Sequence, residues 1–311
     1  MPQIKVGCDP EMFIRDKRTG KIVSCHDLLP GTKEKPFRVP GGAIQVDGTA
    51  AEFNIDPATC SSDFNFRIQA VLGEIKKRLG ENYDLVFEPV ARFDKEYFDK
   101  LPKSATELGC NPDFNAWTGS VNPPPDASGD MYGVRTASGH IHLGWTEDQD
   151  PTDPSHIMDC NLVAQNLDYY LGLPSLMWDR DNTRRKLYGM AGAVRYKPYG
   201  VEYRVLSNSW LASSDLIRYV WNSAYQAILA LFQNQKPMAE LLGDSARDIL
   251  GKNQMWWVEK NSKVYKTMQN YVTFPPNKYW EKDKKEAPTI EKKVANHKYG
   301  KRPMYSLDDD F

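Results

Sequence analysis

Four separated stretches of this chain, "GCDPEMFI", "DGTAAEFNIDPA", "RTASGHIHLG" and "GVEYRVLSN", alternate apolar and polar residues. A period of two belongs to strands with one face buried and the other carrying polar groups. In every stretch the polar face holds two groups capable of chemistry: Asp9 and Glu11, Glu52 and Asn54, His140 and His142, Glu202 and Arg204. Gln45 and Asp47, beside a turn, make a fifth pair. Behind them lie Cys8 and Met12, then Ala51, Phe53 and Ile55, then Ile141 and Leu143, then Val201, Tyr203 and Val205. Any one pair is explained by a solvated sheet face with a cross-strand ion pair. Five pairs of short carboxylates, imidazoles and a guanidinium are not, and Gly7, Gly42, Gly139 and Gly144 leave room beside them for something bulky.

The rest of the chain supplies the cover for such a sheet. Ile4, Val6, Cys8, Met12 and Ile14 share one side of a first strand, in which Pro10 marks an edge or a bulge. Two further strands flank a turn at Asp47, Gly48 and Thr49. "SDFNFRIQAVLGEIKKRLG" places Phe64, Ile68, Val71, Leu72, Ile75 and Leu79 on one helical stripe, with Gly80 to end it. "DPSHIMDCNLVAQNLDYYLGL" reads as a helix capped by Asp153 or Ser155, and "SSDLIRYVWNSAYQAILALFQNQ" as one capped by Ser213 or Ser214. "PMAELLGDSARDILG" is a further helix from Pro237. Residues 101–134 read as a long Pro/Gly-rich loop, and "RRKLYGMAGAVRYKPYG" as a Gly-rich basic loop that turns extended. Strands and helices do not alternate strictly. The expected class is therefore α+β, a largely antiparallel sheet with helices packed on one face. Residues 1–250 are expected to form one domain, with 251–311 a Lys/Trp-rich extension.

Composition excludes several functions. The net charge of −1 gives no general pull toward nucleic acid or membrane. No apolar run reaches the roughly 20 residues of a membrane span, and "MPQIKVGCDP" lacks the basic and apolar parts of a signal peptide. Five cysteines without a CxxC support neither a zinc ribbon nor a disulfide framework, so a reduced cytoplasmic protein is expected.

Asp, Glu, Asn and His on one face suit a hard divalent cation such as Mg²⁺, which would also relieve their mutual repulsion. On that reading, Glu11→Gln or Glu202→Gln leaves the fold as stable or firmer. No P-loop or GxGxxG is present. Arg184, Arg185, Lys186, Arg195 and Lys197, around Gly189 and Gly192, offer a cradle for nucleotide phosphates instead. Two other classes fit parts of the pattern. One is a metal-dependent hydrolase working with a bound water. The other is a non-enzymatic module binding nucleic acid through the aromatic and basic tail at 255–302.

Together the four stretches, the last read as "RRKLYGMAGAVRYKPYGVEYRVLSN", resemble the carboxylate–amine (COOH–NH2) ligases of the glutamine synthetase/glutamate–cysteine ligase superfamily. The likeness is to the phage-type amidoligases of type 2, and covers roughly residues 1–235. It implies a glutamine synthetase-like antiparallel sheet with its active site on the open face, and residues 1–250 as the catalytic domain. It implies ATP-dependent amide formation through an acyl phosphate, with two or three Mg²⁺ or Mn²⁺ ions. The substrates would be small-molecule or peptide carboxylates and amines, and the location the cytoplasm of a host if the chain is phage-encoded. By position, Asp9, Glu11, Glu52, His142 and Glu202 correspond to metal ligands. His140, Arg184, Arg185, Arg195, Lys197 and Arg204 correspond to nucleotide contacts, and Arg204, Glu202 and His140 to the catalytic set. Of the two histidines, one is a ligand and the other a phosphate contact. The loops at 111–134 and 189–200 would close over the intermediate and exclude water.

Overall fold

The computed structural model describes residues 2–106, 113–123, 131–179 and 181–242. The 251–311 extension, its nucleic-acid-binding reading and the end of the helix expected from Pro237 lie outside the described residues. In chain order the strands are β1 (Lys5–Cys8), β2 (Glu11–Asp16), β3 (Ile22–Val23), β4 (Phe37–Val39), β5 (Gly42–Asp47), β6 (Ala50–Ile55), β7 (Tyr83–Val86), β8 (Val90–Arg92), β9 (Phe114–Asn115), β10 (Val134–Thr136), β11 (Ile141–Gly144), β12 (Ala193–Lys197) and β13 (Gly200–Tyr203). The helices are α1 (Ser61–Leu79), α2 (Lys95–Phe98), α3 (Lys103–Thr106), α4 (Pro154–Leu167), α5 (Leu173–Ser175), α6 (Asn182–Leu187), α7 (Ser214–Phe232) and α8 (Met238–Leu242).

All strand pairings are antiparallel, in an α+β arrangement. One sheet runs β1-β11-β13-β12-β9; a second runs β3-β2-β6-β5-β4 with β7 also on β2; β10 and β8 pair separately. Pro10 lies where the first stretch leaves one sheet for the other, so the single expected strand is two. A proline cannot donate to a ladder, which makes it a natural break. Its carbonyl accepts from the Phe53 amide at 3.3 Å, and Val6 and Ala58 exchange two backbone hydrogen bonds of 2.8 Å, stitching the sheets together.

The helices cover one side. α1 buries Phe64, Ile68, Val71, Leu72, Ile75 and Leu79, and ends at Gly80, whose φ of 67° suits glycine. It packs on β5, β6 and β7; α4 packs on β12 and β13; α7 lies against both helices. Asp153 caps α4 and Ser213 caps α7, each accepting from backbone amides of the first turn. Phe13 departs from the simple alternation. It is fully buried beside Met12 and Ile14, because Ala50, Val86, Phe93 and Phe98 form a second small core over it.

Two loop expectations change. Residues 182–187 form α6, capped by Asp181 through the Thr183 amide at 2.7 Å, so Arg184 and Arg185 lie on a helix. The 189–200 stretch supplies β12 of the sheet and is not a closing loop. Residues 113–123 hold β9, an edge strand on β12, with Trp117 Nε1 donating to Asp168 Oδ2 at 2.5 Å. No helix among the described residues is long and apolar enough to cross a membrane.

Candidate active site

Register brings the polar pairs together. Across the first sheet, Gly7, His142, Glu202 and Arg195 lie side by side on β1, β11, β13 and β12. Across the second, Glu11, Glu52 and Gln45 do the same on β2, β6 and β5. Directly opposed residues of an antiparallel pair share a face. The apolar neighbours Ile141, Leu143, Val194, Val201 and Tyr203 therefore face the helices, all fully buried. Asp9, at the passage between sheets, joins the two rows.

The carboxylates fall into two groups, Asp9 with His140 and Glu202, and Glu11 with Asp47 and Glu52. In each, one potential ligand atom per residue lies within 4.8 Å of the others. Their surroundings differ in sign. Glu202 faces Lys197 Nζ at 2.7 Å, Arg195 at 3.5 Å and the Arg204 guanidinium. Burial and Asp9 push its carboxyl up, but His140, Arg204 and His142 outweigh them and hold it at about 2. The second group has fewer cations. Burial pushes Glu52 well above the usual range, and Asp9, Glu11 and Asp47 add to this. Burial and then Asp47 raise Glu11, whose Oε2 accepts from the Ser138 amide at 2.8 Å. Gln45 Nε2 donates to Glu52 Oε2 at 2.8 Å, and Lys33 Nζ lies 2.8 Å from Asp47 Oδ2.

The two histidines take different parts. His142 Nε2 is 2.9 Å from Asp9 Oδ1, and its Nδ1 meets the Tyr199 hydroxyl at 2.5 Å. Burial disfavours its charge, yet Asp9 raises it above its ordinary value. His140 accepts from Arg204 through Nδ1 at 3.1 Å, and burial followed by Arg204 holds it at about 4. At neutral pH it is an imidazole with a lone pair near Asp9 and Glu202. By distance it is His140, not His142, that groups with those two carboxylates. Burial raises Asp9, but His142 and His140 bring it below the usual carboxylate range.

Arg184 and Arg185 are tied to architecture. Arg184 donates to the carbonyls of Val205 at 2.8 Å and Arg204 at 3.1 Å; burial lowers it to about 10. Arg185 donates to the Asp179 and Asp181 carbonyls, and lies 3.1 Å from the Asp179 carboxylate. Arg184 fixes the backbone that carries Arg204 and Arg185 the turn that leads into α6, while Arg195, Lys197 and Arg204 present their charges at Glu202. Asp113 is a member of the site that the sequence reading missed. Its Oδ1 is 2.5 Å from Arg204 Nε and 3.5 Å from Arg195 Nε. Burial raises it despite both guanidiniums. It lies in the "GCNPDFNAW" loop, where nothing in the spacing distinguishes it.

A cavity of about 660 Å³ opens on this face, lined by Asp9, Gln45, Glu52, Asn54, His142, Tyr199 and Trp145 among others. That volume suits a cofactor-sized molecule. Of the glycines expected to leave room, Gly7 and Gly144 do; an added Cβ would find its nearest neighbour at 3.6 Å. Gly42 and Gly139 do not, since a Cβ there would meet the carbonyls of Asn54 at 2.0 Å and Ser207 at 2.2 Å. They serve close approach of backbones.

Two acidic groups that could each hold a metal ion therefore share this face, one of them ringed by Lys197, Arg195 and Arg204, beside a cavity touching both sheets. Residues 129–241 match the family model of the phage phiEco32-like COOH.NH2 ligase-type 2. Thus the chain resembles the type 2 COOH–NH2 ligases over the stretch holding His140, His142, Arg195, Lys197, Glu202 and Arg204. Asp9, Glu11 and Glu52 precede that stretch. No curated protein matches the chain. Two solved structures are similar over 86% of it, each at 12% identity. One is a bifunctional glutathione synthetase from Pasteurella multocida, covered over 44% of its length, with a TM-score of 0.46. The other is a novel glutamine synthase homolog, covered over 66%, with a TM-score of 0.33. The chain thus spans less than half of the first protein and just under two thirds of the second.

Proposed function

We propose that the chain is an ATP-dependent ligase joining a carboxylate to an amine through an acyl phosphate. The observation that carries this reading is that the two lateral rows, Gly7–His142–Glu202–Arg195 and Glu11–Glu52–Gln45, each reach one cavity, the first through Gly7 and His142 and the second through Glu52 and Gln45, with Asp9 between them. The match of residues 129–241 to a ligase family supports it.

The donor sets fit divalent cations. Glu11, Asp47 and Glu52 offer oxygen alone, the preference of Mg²⁺, and the raised carboxyls of Glu11 and Glu52 are what a bound dication would reverse. Asp9, His140 and Glu202 would hold a second ion, with Asp9 Oδ1 buried and without an aligned hydrogen bond. Mg²⁺ there would spread the negative charge of the polyphosphate. A substrate carboxylate oxygen attacks the γ-phosphorus, the bond to the bridging oxygen breaks, and ADP leaves. Arg204 and Lys197, both paired with Glu202, would stabilise the transferring group. The amine then attacks the acyl carbon, phosphate leaves with the C–O electron pair, and the nitrogen loses a proton. His140, held neutral, and the Tyr199–His142 pair are the groups able to take up or relay a proton beside the cavity.

Calorimetry with ATP and Mg²⁺ tests the reading. Wild-type protein is expected to bind ATP only with the metal, and a Glu11→Gln, Glu52→Gln double variant, folded by circular dichroism, is expected not to. Hydroxylamine added with a panel of carboxylates traps an acyl phosphate as the hydroxamate. Wild-type protein that binds no nucleotide in Mg²⁺ or Mn²⁺ sinks the proposal.

A further inference from the structure

Each acidic group carries a lysine of its own. Lys197 Nζ is 2.7 Å from Glu202 Oε2, and Lys33 Nζ is 2.8 Å from Asp47 Oδ2. Lys197 shares a strand ladder with its partner, whereas Lys33 comes from the loop between β3 and β4, where "GTKEK" reads as a solvated charge run. The loop is fixed against the sheet. The Val46 amide donates to the Gly31 carbonyl at 3.1 Å, and the Thr32 amide to the Lys35 carbonyl at 3.1 Å. Gly31 has a φ of 94°, and a Cβ there would meet the Ile44 carbonyl at 2.2 Å. Lys33 is therefore delivered to the second group by a tight turn laid along β5. About half of its side chain remains exposed, which leaves the ammonium a way to turn.

Among Glu11, Asp47 and Glu52 the other donors are neutral: the Ser138 amide and the Gln45 carboxamide. The Lys33 ammonium touches Asp47 and offsets part of their charge, while the Arg184 and Arg204 guanidiniums act on Glu11 without a hydrogen bond to it. A dication held by the same oxygens would repel that ammonium at short range and remove its reason to face Asp47. The nearest new source of negative charge would be the polyphosphate held by the metal. We propose that Lys33 is a tethered cation that stands in for a divalent ion at Glu11, Asp47 and Glu52, and turns to the polyphosphate when the ion binds. The inference rests on the functional reading above and adds a residue to it.

The test uses the full chain, Mn²⁺ alone, and then inorganic tripolyphosphate with saturating Mn²⁺. Free Mn²⁺ is read by electron paramagnetic resonance. Lys33→Met is expected to bind Mn²⁺ about three- to tenfold more tightly than wild type, as one competing charge is removed. It is expected to bind tripolyphosphate about three- to tenfold more weakly, and Lys33→Arg to follow wild type in both. Opposite signs for the two ligands separate this role from a surface ion pair, which would leave both affinities unchanged. Equal or weaker Mn²⁺ binding by Lys33→Met, or unchanged tripolyphosphate binding, overturns the inference while the ligase reading stands. Wild-type protein that binds no Mn²⁺ overturns both.

Discussion

Replacing either of two buried glutamates by glutamine removes the same charge, yet the site predicts opposite effects on stability. Glu202 is held at about 2 against an ordinary value of 4.5, burial and Asp9 being outweighed by His140, Arg204 and His142. A lowered carboxyl contributes stability that is present above the unfolded value and lost as pH falls through the folded one. The window therefore runs from about pH 4.5 down to about pH 2, and the contribution is in full force at pH 7. A shift of this size corresponds to about 3 kcal/mol, and Glu202 is only 2% exposed, so solvent screens little of it. Glu202→Gln leaves Arg204, Lys197 and Arg195 without their shared counter-ion. In a domain of this size about 3 kcal/mol lowers the thermal midpoint by about 6–12 °C. Glu52 has the reverse sign. Its carboxyl is raised by burial, Asp9, Glu11 and Asp47, so its contribution is present in full below the ordinary 4.5 and lost as pH rises through the raised value. Glu52→Gln removes that loss, and its midpoint at pH 7 should equal or exceed wild type. Differential scanning calorimetry in EDTA at pH 7 compares the two. A Glu202→Gln protein as stable as wild type, or a Glu52→Gln protein destabilised as much as Glu202→Gln, would refute the reasoning. The sequence reading expected Glu202→Gln to behave as Glu11→Gln does. The cations around Glu202 reverse that expectation.

Asp113→Asn should cost less than about 1 kcal/mol, because burial already disfavours its charge, but should weaken Mg²⁺-ATP binding several-fold by loosening Arg204; calorimetry and the thermal midpoint separate the effects. Gly139→Ala should destabilise by about 1–3 kcal/mol through its clash with the Ser207 carbonyl and the Trp210 ring nitrogen, whereas Gly7→Ala should fold normally and narrow the cavity, as denaturant melts and nucleotide titrations would register. Asp168, raised by burial to about 7 although Trp117 and Tyr203 donate to it, contributes stability that is full below 3.8 and lost as pH rises through about 7. Trp117→Phe removes one donor and raises it further, so the variant's deficit in urea melts should be larger at pH 8 than at pH 5.

Much of the architecture is determined locally, and local order is what a sequence states openly. The stripe of α1, the caps at Asp153 and Ser213, the turn between β5 and β6 and the alternation of β11 and β13 need only near neighbours. The same alternation placed Asp9, Glu11, Glu52, His140, His142, Glu202 and Arg204 on polar faces. Tertiary structure decided which of them meet. Register set His142, Glu202 and Arg195 in one row and Glu11 with Glu52 in another, and the break at Pro10 sent Asp9 and Glu11 to different groups. Arg184 and Arg185 looked like phosphate ligands because charge in a Gly-rich stretch carries no mark of burial, and only packing turned them toward backbone carbonyls. Asp113 and Lys33 were invisible for the same reason: the partners that give them meaning, Arg204 and Asp47, are distant in the chain and reach them only through strand pairing and a turn laid along β5. Periodicity specifies the face of a strand. The identity of its neighbours depends on long-range contacts, whose energies arise only once the chain has folded.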